Sequence, residues 1–141
     1  MSSTMGMMER ILRLMSEKKA SDIYLSAFSP ALIRINGQCV PINNQPLPAD
    51  APRNLLAEII PEERLAELDA YSELNMGFPL KGVGRFRLSA MRQRGTVAAV
   101  IRFVSGEIPS LGSLSLPPIL SDLIMEKRGL ILMVGATGMG K

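Results

Sequence analysis

From Leu74 to Val104 apolar and polar residues alternate, and this commits the later part of the chain to an antiparallel sheet. Leu74, Met76, Phe78 and Leu80 fall two apart, the period that lines up side chains on one face of a strand. Two longer segments follow, Gly84 to Arg92 and Thr96 to Val104, around a turn at Arg94-Gly95. On the first, Arg85 and Arg87 share one face while Phe86, Leu88 and Ala90 share the other. A two-residue turn sets Arg87 directly opposite Arg102; a bulge at Gly95 would shift that register. Like charges directly opposed disfavour strand pairing, so the arrangement asks for an anion or an acidic partner. The residues leave both readings open: a site for an anion, or a solvated face whose arginines pair with acids such as Glu73 or Asp69. Arg85, Arg92 and Arg94 read as ordinary surface charge.

Upstream, Met8, Ile11, Leu12 and Met15 form an apolar stripe at helical spacing, interleaved with Glu9, Arg10, Arg13 and Ser16 and ending near Lys18-Lys19. Short strands are expected at Ile23–Ser26 and Leu32–Ile35. Asn36-Gly37 then signals a two-residue hairpin whose return strand runs from Gln38 to Ile42. Asp50 is positioned to cap a helix from Pro52 to Ile60, and Pro61 restarts one through Leu65 and Leu68 to Ala70. Helix, hairpin, two helices and a strand meander predict an α+β fold with a mostly antiparallel sheet. Residues 1–104 form that domain. Residues 105–116 are rich in Ser, Gly and Pro and read as a linker, although Ile108, Leu111 and Leu114 suggest contact with something. Residues 117–141 begin a second, α/β domain with a helix from Ile119 to about Lys127 and a strand at Leu130–Val134 of the kind buried on both faces.

Composition excludes several chemistries. There is no histidine in the 141 residues, which removes a Ser-His-Asp triad and any histidine-based metal site, and no metal centre is expected. One cysteine excludes an internal disulfide and fits a reducing compartment; Cys39 is expected to be a buried, inert thiol. A net charge of +3 is too small to imply nucleic acid. No run approaches the roughly 20 apolar residues a membrane helix needs, and the charged Met1–Met15 stretch does not read as a signal peptide. A cytoplasmic protein is expected. Met8, Met15 and Met76 read as core filler, and Glu62, Glu63 and Glu67 as a helix surface.

The last seven residues, Gly135-Ala136-Thr137-Gly138-Met139-Gly140-Lys141, fit G-x-x-x-x-G-K, the phosphate-loop pattern without its final Ser or Thr. Glycines let several backbone N–H groups converge on one anion, and the lysine reaches the β- and γ-phosphates. A Gly-rich turn could match by chance, but an apolar strand running into the first glycine is the context the motif requires. The Mg²⁺-holding hydroxyl and the acidic residues of hydrolysis would lie beyond Lys141, so this stretch alone is expected not to hydrolyse ATP. The strand before the loop, lacking its sheet, is expected to be mobile or held by another chain.

Five segments in order, SDIYLSA (Ser21–Ala27), ALIRING (Ala31–Gly37), GVGRFRLSA (Gly82–Ala90), AVIRFVSGEIPSL (Ala99–Leu111) and KRGLILMVGATGMGK (Lys127–Lys141), give the chain a resemblance to secretion-type ATPases, and among them to the type IV pilus retraction ATPases (PilT/PilU-like). The resemblance implies a PAS-like N-terminal domain linked to a RecA-like motor domain, within a hexamer that retracts pili in twitching motility. It implies ATP with Mg²⁺ at the Walker A residues 135–141, and Arg87 and Arg102 reaching across a subunit junction to the terminal phosphates. A cytoplasmic place against the inner membrane, a platform protein there and a paralogous retraction ATPase follow as partners, with no nucleic acid. Two other functions fit the residues: a stand-alone binding or assembly module, and the same domain of a pilus-extension or secretion ATPase. Against sensing by such a module stands an aromatic content of only 4%.

Overall fold

Two turns set the register of the sheet. Asn36 and Gly37 (φ 48° and 80°) join β2, Leu32–Ile35, to β3, Gln38–Pro41. Arg94 and Gly95 (φ 50° and 81°) join β5, Gly84–Gln93, to β6, Thr96–Val104. Positive φ at both central residues marks the hairpin turn whose twist matches that of paired strands. The computed structural model describes residues 6–106 and 108–136, and these fall into a unit ending at Gly106 and a second unit after it.

The first unit adds β1, Asp22–Ser26, and β4, Glu73–Leu80, to give a six-stranded sheet in the order β3-β2-β1-β6-β5-β4. Every neighbouring pair is antiparallel. Helices α1 (Met7–Glu17), α2 (Ala51–Ala57) and α3 (Glu62–Tyr71) cover one face. Alternation then decides what is buried: Ile23, Leu25, Phe86, Leu88, Ala90, Ala99 and Ile101 point into the core with Met8, Leu12, Met15, Leu56 and Leu68 from the helices. Each large side chain so buried contributes about 1.5–3 kcal/mol. Three phenylalanines form a ladder across β4, β5 and β6, with ring centroids 5.4 Å apart for Phe78–Phe86 and 5.3 Å for Phe86–Phe103.

Helix α1 buries the predicted stripe, and Lys19 (φ 52°) ends it by turning the chain so that Ala20 N–H donates to the Met15 carbonyl at 2.9 Å. Its amino end is held from a distance: Met8 N–H donates to Glu58 Oε2 at 2.7 Å. Gly6 leaves room for that carboxylate, which a Cβ there would strike. A negative group at a helix amino terminus satisfies a free donor and suits the dipole.

Several expectations are corrected. Helix α2 ends at Ala57 rather than Ile60, and Asp50 precedes it without capping it; its carboxylate accepts from Asn54 Nδ2 at 3.1 Å instead. Cys39 is exposed, because β3 is an edge strand with all four residues open to solvent. In the second unit a 3-10 turn, Leu111–Leu114, is capped by the Ser110 hydroxyl, and Ile108, Leu111 and Leu114 are exposed. Helix α4 covers Ile119–Leu123, shorter than expected, and Leu130–Val134 form no strand and are exposed. A short helix without a packed face is marginal, and a strand needs a neighbour to take its backbone bonds. Among the described residues no helix is long and apolar enough to cross a membrane.

Candidate functional site

The face of the sheet away from the helices carries a row of charge. Register places Arg34 opposite Asp22, Asp22 opposite Arg102, Arg102 opposite Arg87, and Arg87 opposite Gly77. The predicted opposition of Arg87 and Arg102 is therefore present, and no bulge interrupts it. Three guanidiniums face one carboxylate in this row. Gly77 adds no side chain, so the flank of Arg87 toward β4 is open. Asn75, Arg87, Ser89, Val100 and Arg102 line a depression of ≈ 280 Å³.

The acidic partners named from the sequence do not serve this row. Asp69 is held instead by Arg53, through Nη2 to Oδ2 at 2.6 Å and Nε to Oδ1 at 3.3 Å, with Arg92 Nη1 at 3.8 Å. Arg92 thus has the ordinary structural role expected of it. The partner that sequence reasoning missed is Asp22. Its Oδ1 accepts from Arg102 Nε at 2.9 Å and its Oδ2 from the Ser21 hydroxyl at 2.8 Å. Asp22 is 3% exposed, the one buried charged residue among those described, although it lies on the sheet face away from the core. Period-two alternation already puts Asp22 on the face opposite Ile23 and Leu25, but which strand would lie beside it could not be read locally. Arg87 has no ion pair among the described residues. Two guanidinium forks side by side, with an amide and a hydroxyl nearby, suit an anion carrying several oxygens, and guanidinium stays charged throughout.

The Arg53 hydrogen bond holds the Asp69 carboxyl below the ordinary carboxylate range; desolvation opposes it, and the charges of Arg53 and then Arg92 add to the lowering. A pKa lowered by folding stabilises the fold above the unfolded value, about 3.9, and that stabilisation fades as pH falls through the folded value. Melting temperatures measured from roughly pH 3 to 6 should therefore fall on the acid side. Asp69→Asn should make that acid limb shallower, and an unchanged limb would remove Asp69 from the account.

Of the predicted phosphate loop, Gly135 and Ala136 lie at the end of the described chain and are exposed. Thr137, Gly138, Met139, Gly140 and Lys141 lie outside the described residues. Among the described residues no three His, Cys, Asp or Glu side chains gather as metal ligands.

No family model matches the chain. It is 39% identical over 133 residues to the type IV pilus ATPase PilU of Pseudomonas aeruginosa, a match covering 94% of this chain and 35% of PilU. It is 30% identical to the retraction ATPase PilT of the same organism, over 93% of this chain and 38% of PilT. The crystal structure of the pilus retraction motor PilT with bound ADP superposes with a TM-score of 0.79 at 35% identity, covering 95% of this chain and 39% of that one. Nearly the whole of the chain is thus similar in sequence and fold to the N-terminal domain of PilT/PilU-type pilus ATPases. The ATPase DotB of Legionella pneumophila shares the fold at a TM-score of 0.75 and 25% identity, covering 95% of this chain and 38% of DotB. This PilT/PilU-like domain therefore spans somewhat more than a third of the length of each of these proteins, and its antiparallel sheet with flanking helices matches the N-terminal domain of PilT.

Proposed function

We propose that the chain is the N-terminal domain of a hexameric, ATP-driven motor that retracts type IV pili in twitching motility. The observation that carries this reading is the opposition of Arg87 and Arg102 on an open sheet face, in a domain similar to that of PilT. In the complete protein these two guanidiniums would meet the terminal phosphates of ATP seated on the phosphate loop of a neighbouring subunit. Residues 135–141 would form that loop on the chain's own nucleotide, and Mg²⁺ would be held by the hydroxyl residue that follows the lysine in this pattern. Neutralising phosphate charge with fixed cations is the main protein contribution to phosphoryl transfer. The complete ring would lie in the cytoplasm against the inner membrane, on a platform protein at the pilus base, with a paralogous retraction ATPase as a further partner.

The test is to delete the gene and observe the cells. Piliated cells that no longer retract or twitch are the expected result, restored by the complete gene. Loss of the pili themselves would move the domain to an extension or secretion ATPase, and unaltered pili and motility would overturn the motor reading.

A further inference from the structure

The Asp22–Arg102 contact differs in kind from the other ion pairs. In those, both side chains are between 33% and 43% exposed. Here the Asp22 side chain is 4% exposed while that of Arg102 is 63% exposed. A carboxylate withdrawn from water is costly unless its oxygens are hydrogen-bonded and its charge is met. Both conditions hold: Oδ1 takes Arg102 Nε and Oδ2 takes the Ser21 hydroxyl. The acid is thus fixed by its neighbour in the chain, Ser21, and it engages the inner nitrogen of the Arg102 guanidinium. On the other flank of Arg102, directly across β5 and β6, stands Arg87. A long, exposed arginine beside a like charge would otherwise take rotamers that carry it away from its neighbour, and holding it still costs side-chain entropy.

We propose that Asp22 is a positioning residue that holds Arg102 beside Arg87, so that both guanidiniums are already in place for one polyphosphate anion. This rests on the reading that Arg102 contacts ATP. Asp22 touches no phosphate; it acts through Arg102. Fixing a charged donor before the reaction is what lets it stabilise charge that develops during it. The effect belongs in turnover more than in ground-state binding.

The experiment measures kcat and KM for ATP in the complete ATPase, with thermal melts of each variant. Asp22→Ala should lower kcat about tenfold and change KM less than about twofold. Asp22→Asn keeps an acceptor oxygen for Nε and should recover most of the loss. In the Arg102→Ala background, Asp22→Ala should cost nothing further, as for two residues acting as a unit. A kcat for Asp22→Ala equal to the parent's overturns the proposal. So do losses that multiply in the double variant, the mark of two independent roles. Should Asp22→Ala fail to fold, Asp22→Ser keeps a polar group at the buried position without reaching Arg102, and the same cycle is run with it. An undiminished kcat in Arg102→Ala would overturn the ATP-contact reading itself. A reduced one beside an unaffected Asp22→Ala would overturn the role of Asp22 alone.

Discussion

Replacing Arg87 with alanine in the complete ATPase is expected to lower kcat about a hundredfold or more, the scale for removing one fixed charge-stabilising donor from a reacting centre. The melting temperature of the domain should stay level or rise slightly. Arg87 is exposed on the open face of β5 and has no ion pair among the described residues, so truncation strands no acid. It also removes a like charge directly opposite Arg102, which relieves the strand pair. Arg87→Lys keeps the charge but loses the planar fork and should recover only part of the activity. This variant is the clean probe of the row, because Arg102→Ala would leave the Asp22 carboxylate with Ser21 as its one side-chain partner among the described residues. A removed partner of that kind costs about 1–3 kcal/mol, which would mix stability with function. Turnover within about twofold of the parent in Arg87→Ala would sink the phosphate-contact reading.

Phe86→Ala is expected to destabilise the first unit by about 3–5 kcal/mol. Phe86 is 1% exposed and sits between Phe78 and Phe103 in the middle of the aromatic ladder. Alanine would remove the ring from its stacked contact with Phe78 and its tilted contact with Phe103, and leave a cavity between three strands and the helices. Small domains keep roughly 5–15 kcal/mol in reserve, so the variant should unfold at a much lower urea concentration, read by circular dichroism. Phe86→Leu keeps most of the volume and should cost about 1.5 kcal/mol. A loss below about 1 kcal/mol for the alanine variant would mean that the site collapses around the missing ring.

How far the sequence could be read follows from how local each feature is. The opposition of Arg87 and Arg102 was legible because a two-residue turn lies between them and fixes the count of pairs. Met8, Ile11, Leu12 and Met15 were legible because helical spacing alone decides which face is apolar. Asp22 as the partner of Arg102 was not, since it depends on β1 lying between β2 and β6, and no turn connects β1 to β6. Cys39 was misplaced for a related reason: being at an edge is a property of the whole sheet, invisible in the residues of one strand. Glu58 under the amino end of α1 is a contact across 50 positions. Leu130–Val134 read as a strand because their apolarity is that of a buried one, but apolarity supplies no neighbour for the backbone bonds.

The central pairing of the sheet also has a consequence in time. Strands β1 and β6 lie side by side, yet Asp22 and Arg102 are 80 positions apart in the chain. On a ribosome, the amino-terminal helix and the first hairpin emerge long before the strand that completes them. Until Arg102 is made, the inner edge of β1 has no partner in its own sheet, and contacts of such separation form slowly once the chain is available. A nascent chain cut short before β6 would expose that edge and strand the Asp22 carboxylate without its counter-charge. The domain is thus built to fold near the end of its own synthesis, with the arginine row closing last.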